Sequence, residues 1–191
     1  MNKQLWIIVG GNGAGKSTFY DRFLKQYGLS FLNADMLAKE LADKISPEIS
    51  KKAQQQALDS FHQKIEQGET FCYETVFSHS SKIKLVIKAK KLGYTVNLVF
   101  IHLSDVNLNK ARIVQRVKGG GHDVPSDKVT SRIPRTLKNI HKVISKVDHA
   151  RLIDNSSGQD PFKIIATVKN AKIIESIDVL PDWAKEILKG I

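Results

Sequence analysis

Gly10-Gly11-Asn12-Gly13-Ala14-Gly15-Lys16-Ser17-Thr18 fits the pattern G-x-x-x-x-G-K-[ST] from Gly10 to Ser17 without a mismatch. Leu5-Trp6-Ile7-Ile8-Val9, a short apolar run of strand formers, precedes it. Phe19, Phe23 and Leu24 follow at helical spacing. The stretch is therefore a loop between a buried strand and a helix, the context the pattern requires. Its glycines let the backbone take positive φ and approach a ligand closely. Successive N–H groups then point inward as an anion-binding nest at a helix N-terminus. Lys16 adds a mobile positive charge for the β- and γ-phosphates, and the Ser17 hydroxyl is a magnesium ligand. A dinucleotide fingerprint, G-x-G-x-x-G starting at Gly11, fails because Lys16 occupies the third glycine position. The loop is read as binding a nucleoside triphosphate and leaves the use of that triphosphate open.

At 191 residues the chain is read as one α/β domain over 1–191, long enough to bury a real core. The one cysteine, Cys72, rules out an internal disulfide and fits a reducing compartment. It lies in an apolar run, as a buried small residue does. A cleaved leader does not fit, because the phosphate loop begins at residue 10. No apolar run approaches the ~18 residues that span a bilayer. A cytoplasmic protein without a membrane partner is expected. The formal charge of +11 is uneven: Asp105 to Arg151 holds eleven Lys or Arg against four acids. Such clustering suits an anionic partner. A nucleotide and a phosphorylated substrate suffice, and nucleic acid is an alternative. For most of the lysines a solvated helix face is explanation enough.

Outward from the loop, strands and helices alternate. Strands are expected near 4–9, 31–33, 69–77, 94–103 and 152–153, with helices near 16–26, 34–41, 47–67, 80–92, 105–118 and 126–147. Met36, Leu37 and Leu41 mark one helix face, and Pro134 is expected to kink the long helix. Residues 162–168 and 172–177 read as a hairpin-like pair, and 181–189 as a last helix. The fold class is thus a P-loop NTPase: a mostly parallel five-stranded core sheet, helices on both faces, and a small C-terminal β-pair and helix. Gly119 to Pro125 forms a loop between two basic helices and is read as a kinase-like lid over the nucleotide.

Three constellations add chemistry. Asn33-Ala34-Asp35 follows the second strand, at the carboxyl edge where open α/β sheets bind ligands. Asp35 is placed either to take a proton from a substrate hydroxyl or to cap the next helix. Glu74-Thr75 ends the third strand. A carboxylate there calls for magnesium, a substrate hydroxyl or a cation, unless the strand end simply reaches solvent. Arg112 and Arg116, then Arg132 and Arg135, share helix faces on either side of the lid loop. Closing that loop brings guanidinium groups to a transferring phosphoryl, and Arg116 and Arg132 lie closest to it among the four. His122, in the loop, is read as a phosphate contact or a shaper of the loop. Asn155 follows the fifth strand as a base or ribose contact, or else as a turn residue.

With GGNGAGKST, NADMLA around Asp35, YETVFS around Glu74, RVKGGGHDVP followed by SRIPRTL, and DNSS at 154–157, the chain resembles the zeta-toxin-like P-loop kinases. These segments run in order through most of the chain, and the GGHDVP loop between arginine-bearing helices is the most telling. The resemblance implies an ATP- or GTP-dependent kinase of small-molecule hydroxyls, of which a UDP-N-acetyl sugar is one, with an antitoxin as protein partner. It makes Asp35 the general base, Glu74 a substrate contact, and Arg116 and Arg132 the phosphate-stabilising arginines. It places Asn33 and Thr75 beside the acceptor. The chain is compact beside the larger zeta toxins, and no LSGGQ-like signature follows the phosphate loop. Two other readings are a polynucleotide 5′-hydroxyl kinase, suggested by the charge, and a nucleotide-dependent binding module without phosphotransfer.

Overall fold

The computed structural model describes residues 3–42, 45–121 and 123–191. Among them, seven strands form one sheet: β1 (Gln4–Gly10), β2 (Ser30–Asn33), β3 (Phe71–Thr75), β4 (Thr95–His102), β5 (His149–Asp154), β6 (Lys163–Lys169) and β7 (Lys172–Ser176). Their order is β2-β3-β1-β4-β5-β6-β7. The first five are parallel, and β6 and β7 add antiparallel to the β5 edge. The expected C-terminal pair therefore extends the sheet instead of standing beside it.

The helices are α1 (Lys16–Phe19), α2 (Ala34–Leu41), α3 (Pro47–Gln67), α4 (Ser81–Lys91), α5 (Val106–Lys118), α6 (Ser126–Val143) and α7 (Asp182–Leu188). Side-chain alternation in the strands divides the core between two faces. Leu5, Ile7 and Val9 of β1 point to the face covered by Phe61 and Ile65 of α3, Val86 of α4, Ile140 and Val143 of α6, and Ile187 of α7. Ile8 points the other way, onto Phe19, Tyr20 and Leu24. Cys72 is buried on that second face, and burial pushes its thiol pKa far up. It is inert packing, as its neighbours suggest.

Two helices depart from their sequence pattern. After Phe19 the expected α-helix becomes a π turn (Tyr20–Leu24) and then a 3₁₀ turn (Lys25–Tyr27), closed by Gly28 at φ 67°. The wider turn brings Phe19 and Leu24, five residues apart, to the sheet together. In α2, Ala38 is the buried residue, while Met36 is half-exposed and Leu37 packs at the margin. The Asn33 side chain caps α2 by accepting from the Asp35 and Met36 N–H groups, which fixes the helix at its first turn. Helix α6 continues through Pro134 as one element.

The chain leaves β1 across one face of the sheet and leaves β3 across the other. The crevice at the carboxyl ends of β1 and β3 is therefore a topological switch point, where such sheets hold ligands. The register brings Ile8 beside Glu74 and Asn33 beside Glu74, so the phosphate loop, Asn33 and Glu74 converge there.

At the end of β4, buried His102 packs against Phe100 and Trp183. Burial lowers its pKa to about 4, against the opposing pull of Asp154. The unfolded chain takes up this proton near pH 6.5 and the folded chain only near 4. Stability therefore falls as pH drops through that window, by roughly 3 kcal/mol in total. Chemical denaturation of wild-type and His102→Gln protein at pH 7 and pH 4.5 is expected to show a smaller acid-induced loss for the variant.

Candidate active site

The phosphate loop is built against its neighbours. Gly13 and Gly15 have φ of 78° and 97°, the left-handed region that side chains disfavour. Space excludes a side chain as well. A Cβ on Gly13 would lie 2.6 Å from the Asn109 carbonyl oxygen, and one on Gly15 would lie 2.6 Å from Asn155 Nδ2. Side-chain amides then fasten the loop from both sides. Asn109 Nδ2 of α5 donates to the Asn12 carbonyl (2.8 Å), and Asn155 Nδ2 donates to the Ala14 carbonyl (2.9 Å). Both asparagines are buried.

Asn155 is itself held at several atoms. Its N–H donates to the His102 carbonyl, its Oδ1 accepts from the Phe162 N–H, and its carbonyl accepts from Arg112. The structure gives the amide a loop-holding role, with Nδ2 on the Ala14 carbonyl, beside the base or ribose contact expected of it. Arg112, expected on the lid, instead donates from Nη2 to the Asn155 carbonyl at 2.8 Å and supports the same clamp.

Lys16 and Glu74 form the floor. Lys16 Nζ donates to the Gly11 carbonyl (3.1 Å) and lies 3.5 Å from Glu74 Oε1, with both side chains more than nine-tenths buried. Glu74 Oε2 accepts from Ser17 Oγ at 2.7 Å and from Asn33 Nδ2 at 2.8 Å. The carboxylate found in an apolar strand is therefore paired on the triphosphate side of the crevice. The Ser17 hydroxyl and Glu74 carboxylate are hard oxygen donors, the set that magnesium takes together with water and phosphate oxygens. Among the described residues no group of three or more His, Cys, Asp or Glu is arranged to hold a metal by itself. Asn33 serves two ends at once, capping α2 with Oδ1 and orienting Glu74 with Nδ2. Thr75 Oγ1 accepts from the Phe77 N–H and shapes the turn after β3.

Because Asn33 supplies the cap, Asp35 does not cap α2. Its carboxylate is about half exposed and stands 3.8 Å from Arg116 Nη1. It lines a cleft of ≈ 180 Å³ together with Lys16, Glu74, Gln54, Tyr73 and Arg132. The cleft continues toward Pro47 and Lys51 of α3, Asp123 and Val124 of the expected lid and Lys128 of α6, with Asp35 and Arg132 common to both parts. Arg132 is half-buried and donates from Nη1 to Asn12 Oδ1 at 3.1 Å, which ties α6 to the phosphate loop. Burial lowers its pKa, and Arg135 adds to this while Asp35 and Asp127 oppose it. A guanidinium nonetheless stays charged. Arg135 does not join the cleft; it bonds the Ser131 carbonyl and hydroxyl one turn back along α6. Val124, in the segment expected to be a lid, packs between Ile113 of α5 and Val129 of α6. His122 lies outside the described residues.

Sequence reasoning missed Asn109, Thr136 and Asn139. Thr136 and Asn139 are buried on α6 and donate to the Val76 and Phe77 carbonyls. The signal was there: each is a polar residue on the apolar stripe of its helix, between Val106 and Ile113 or between Val129 and Val143. Buried polar groups need partners.

Asn109→Ala leaves the Asn12 carbonyl without its buried donor. It is expected to cost about 1–3 kcal/mol of stability, read by urea denaturation, and to weaken triphosphate binding. Gly13→Ala is expected to abolish triphosphate binding, read by calorimetry, while the far-UV circular dichroism stays that of the wild type.

The sequence profile of the family described as "AAA domain" matches residues 5–141. An uncharacterized protein of Haemophilus influenzae is 32% identical over 143 residues, 69% of this chain and 99% of that protein. Among solved structures, the AvrRxo1-ORF1:-ORF2 complex with ATP superposes with a TM-score of 0.73 at 19% identity, over 93% of this chain and 61% of that one. The chain thus spans less than two thirds of the AvrRxo1 chain. The PezAT chromosomal toxin-antitoxin system of Streptococcus pneumoniae gives 0.67 at 16% identity, over 99% of this chain and 84% of that one. Among the described residues no helix is long and apolar enough to cross a membrane. The chain belongs to the AAA domain family and has the α/β fold of a P-loop kinase-like domain, with a mostly parallel sheet between helices.

Proposed function

We propose that the protein is an ATP-dependent kinase that transfers the γ-phosphoryl group to a hydroxyl of a small molecule. The observation that carries this reading is the juxtaposition of Asp35 and Arg132 in one cleft with Lys16 and Glu74. A triphosphate on the loop amides and Lys16 presents its γ-phosphate to that cleft. The Ser17 hydroxyl and the Glu74 carboxylate would hold magnesium, which when bound would neutralise phosphate charge. Asp35, not committed to a helix cap, takes the proton of the attacking hydroxyl as its oxygen bonds to phosphorus. Arg132, fixed to Asn12, and Arg116, beside Asp35, stabilise the charge that spreads over the transferring phosphoryl. The bond from the γ-phosphorus to the bridging oxygen breaks, and the nucleoside diphosphate leaves. Positioning of the two reactants supplies much of the rate.

ATP as donor is supported by the ATP-bound AvrRxo1-ORF1:-ORF2 structure, with GTP as the alternative donor. The PezAT likeness supports an antitoxin as a protein partner, and a UDP-N-acetyl sugar remains one acceptor to assay. Arg116 of α5 and Arg132 of α6 flank the expected lid and already stand at Asp35 and at the phosphate loop. With the true acceptor, Asp35→Asn is expected to lower kcat by about 10²–10⁴-fold with the Kd for ATP unchanged. Lys16→Met is expected to lose ATP binding itself. Transfer at the wild-type rate by Asp35→Asn would remove the base assignment.

A further inference from the structure

The wall of the cleft away from the phosphate loop carries chemistry that triphosphate binding does not use. Lys82, in the first turn of α4, lines the cleft with Tyr73, Ser78 and His79. Its Nζ donates to Tyr73 Oη at 2.7 Å. Among the described residues no carboxylate stands within ion-pairing distance of Lys82, whereas Lys64, Lys88 and Lys90, elsewhere on the same face of the sheet, each have one. A half-buried ammonium paired with a neutral phenol keeps its charge unbalanced. The phenol, accepting from Lys82, has its own O–H left to donate. His79 Nδ1 is engaged by the Ser81 hydroxyl at 2.8 Å and the Ser81 N–H at 3.2 Å, so a ligand contact from this ring would come from Nε2. This wall offers donors and positive charge. The carboxylates lining the cleft are Asp35 and Glu74, and Glu74 is already held by Lys16, Ser17 and Asn33.

The wall is also rigidly built. Phe77, buried, sits at φ 63°, a conformation costly for a bulky residue. It is held there by α6: Thr136 Oγ1 bonds the Val76 carbonyl at 2.9 Å and Asn139 Nδ2 bonds the Phe77 carbonyl at 2.9 Å. The Tyr73 ring is fixed against Phe61. Two buried polar side chains thus hold the segment that carries Ser78 and His79 into the cleft.

We propose that Lys82, Tyr73 and His79 form a subsite for an anionic group on the acceptor, a carboxylate or a phosphate, so that the substrate is a hydroxylated small-molecule anion. This rests on the kinase reading for its place in catalysis but not for its binding chemistry. With its anion on Lys82 and its hydroxyl toward Asp35, the acceptor spans the cleft in one orientation. The charge-assisted contact then selects against neutral alcohols of the same shape.

The test measures binding first. Wild-type, Lys82→Met and Tyr73→Phe proteins, each saturated with a non-hydrolysable ATP analogue so that the phosphate loop is filled, are titrated with inorganic phosphate, gluconate, glucose 6-phosphate and glucose. One or more of the anions is expected to bind the wild type and glucose not to. Lys82→Met is expected to weaken anion binding by about tenfold or more, and Tyr73→Phe by less. The affinity for the analogue reports that each variant is folded. The two anion classes are separated by whether gluconate or glucose 6-phosphate gains more from Lys82. Absence of any Lys82-dependent anion binding overturns the subsite, as does equal binding of glucose. Tighter Lys82-dependent binding of a 5′-hydroxyl oligonucleotide than of every small anion also overturns it, by assigning the cation to a nucleic-acid backbone. Labelled ATP with the same panel separates the two claims. Lys82-dependent binding without transfer leaves the subsite and removes the kinase; transfer to neutral acceptors unaffected by Lys82→Met does the reverse.

Discussion

Everything in this site depends on the fastening of the phosphate loop by two buried asparagine amides. A loop of glycines has no side chains with which to hold itself, and its amides must point at a ligand instead of at one another. The carbonyls on its back therefore need donors from elsewhere. Asn109 and Asn155 supply them to Asn12 and Ala14, and each also occupies the space that a Cβ at Gly13 or Gly15 would need. Loop conformation, glycine requirement and the packing of α5 and β5 are thus one constraint. Arg112 extends it by fixing Asn155, and Arg132 by bonding the Asn12 side chain.

That constraint links the core to the chemistry. The same β1 whose alternate residues feed both faces of the core ends in the loop. The neighbouring strand β3 carries Glu74 next to its last residue, delivered by register to Ser17 and Lys16. A buried carboxylate and ammonium together cost less than either alone, provided their remaining hydrogen bonds are met. Here Ser17, Asn33 and the Gly11 carbonyl meet them. Helix α6 does for the opposite wall what the asparagines do for the loop, since Thr136 and Asn139 tether the segment after β3. Through Arg132 the same helix also reaches the phosphate loop, so α6 ties both walls of the cleft together.

The sequence alone made a good deal legible, and unevenly. The boundaries of α3 are those that Pro47 and Gly68 announce, since a fixed φ and a left-handed cap act within a few residues. Asp35, Glu74 and Arg132 stand out because a charged residue at a strand end or beside a glycine loop is locally costly. The assignments of Asn155, Arg112 and Arg135 fared differently. Sequence places each near the site but does not give the direction of its side chain, and about 60° around α6 separates Arg132 in the cleft from Arg135 on its own helix surface. The π turn after Phe19 has no local signature either; it follows from the need to seat Phe19 and Leu24 on one sheet face.

The sequence by itself determined the strand, loop and helix of triphosphate binding, the alternation that builds a parallel sheet, and the residue types available at its carboxyl edge. These are short-range properties: backbone freedom at glycine, periodicity of apolar residues, and fixed φ at proline. Only the tertiary structure decided that Asn33, rather than Asp35, caps α2, leaving the aspartate to face the cleft. It also decided that Glu74 belongs with Ser17 and Lys16, that Asn155 grips the loop, and that Lys82 meets Tyr73 across from Asp35. The Glu74 and Asn155 pairings join residues distant in sequence, while Lys82 meets Tyr73 across the short segment between β3 and α4; each is fixed by strand order, register and helix rotation, which no local run of residues contains.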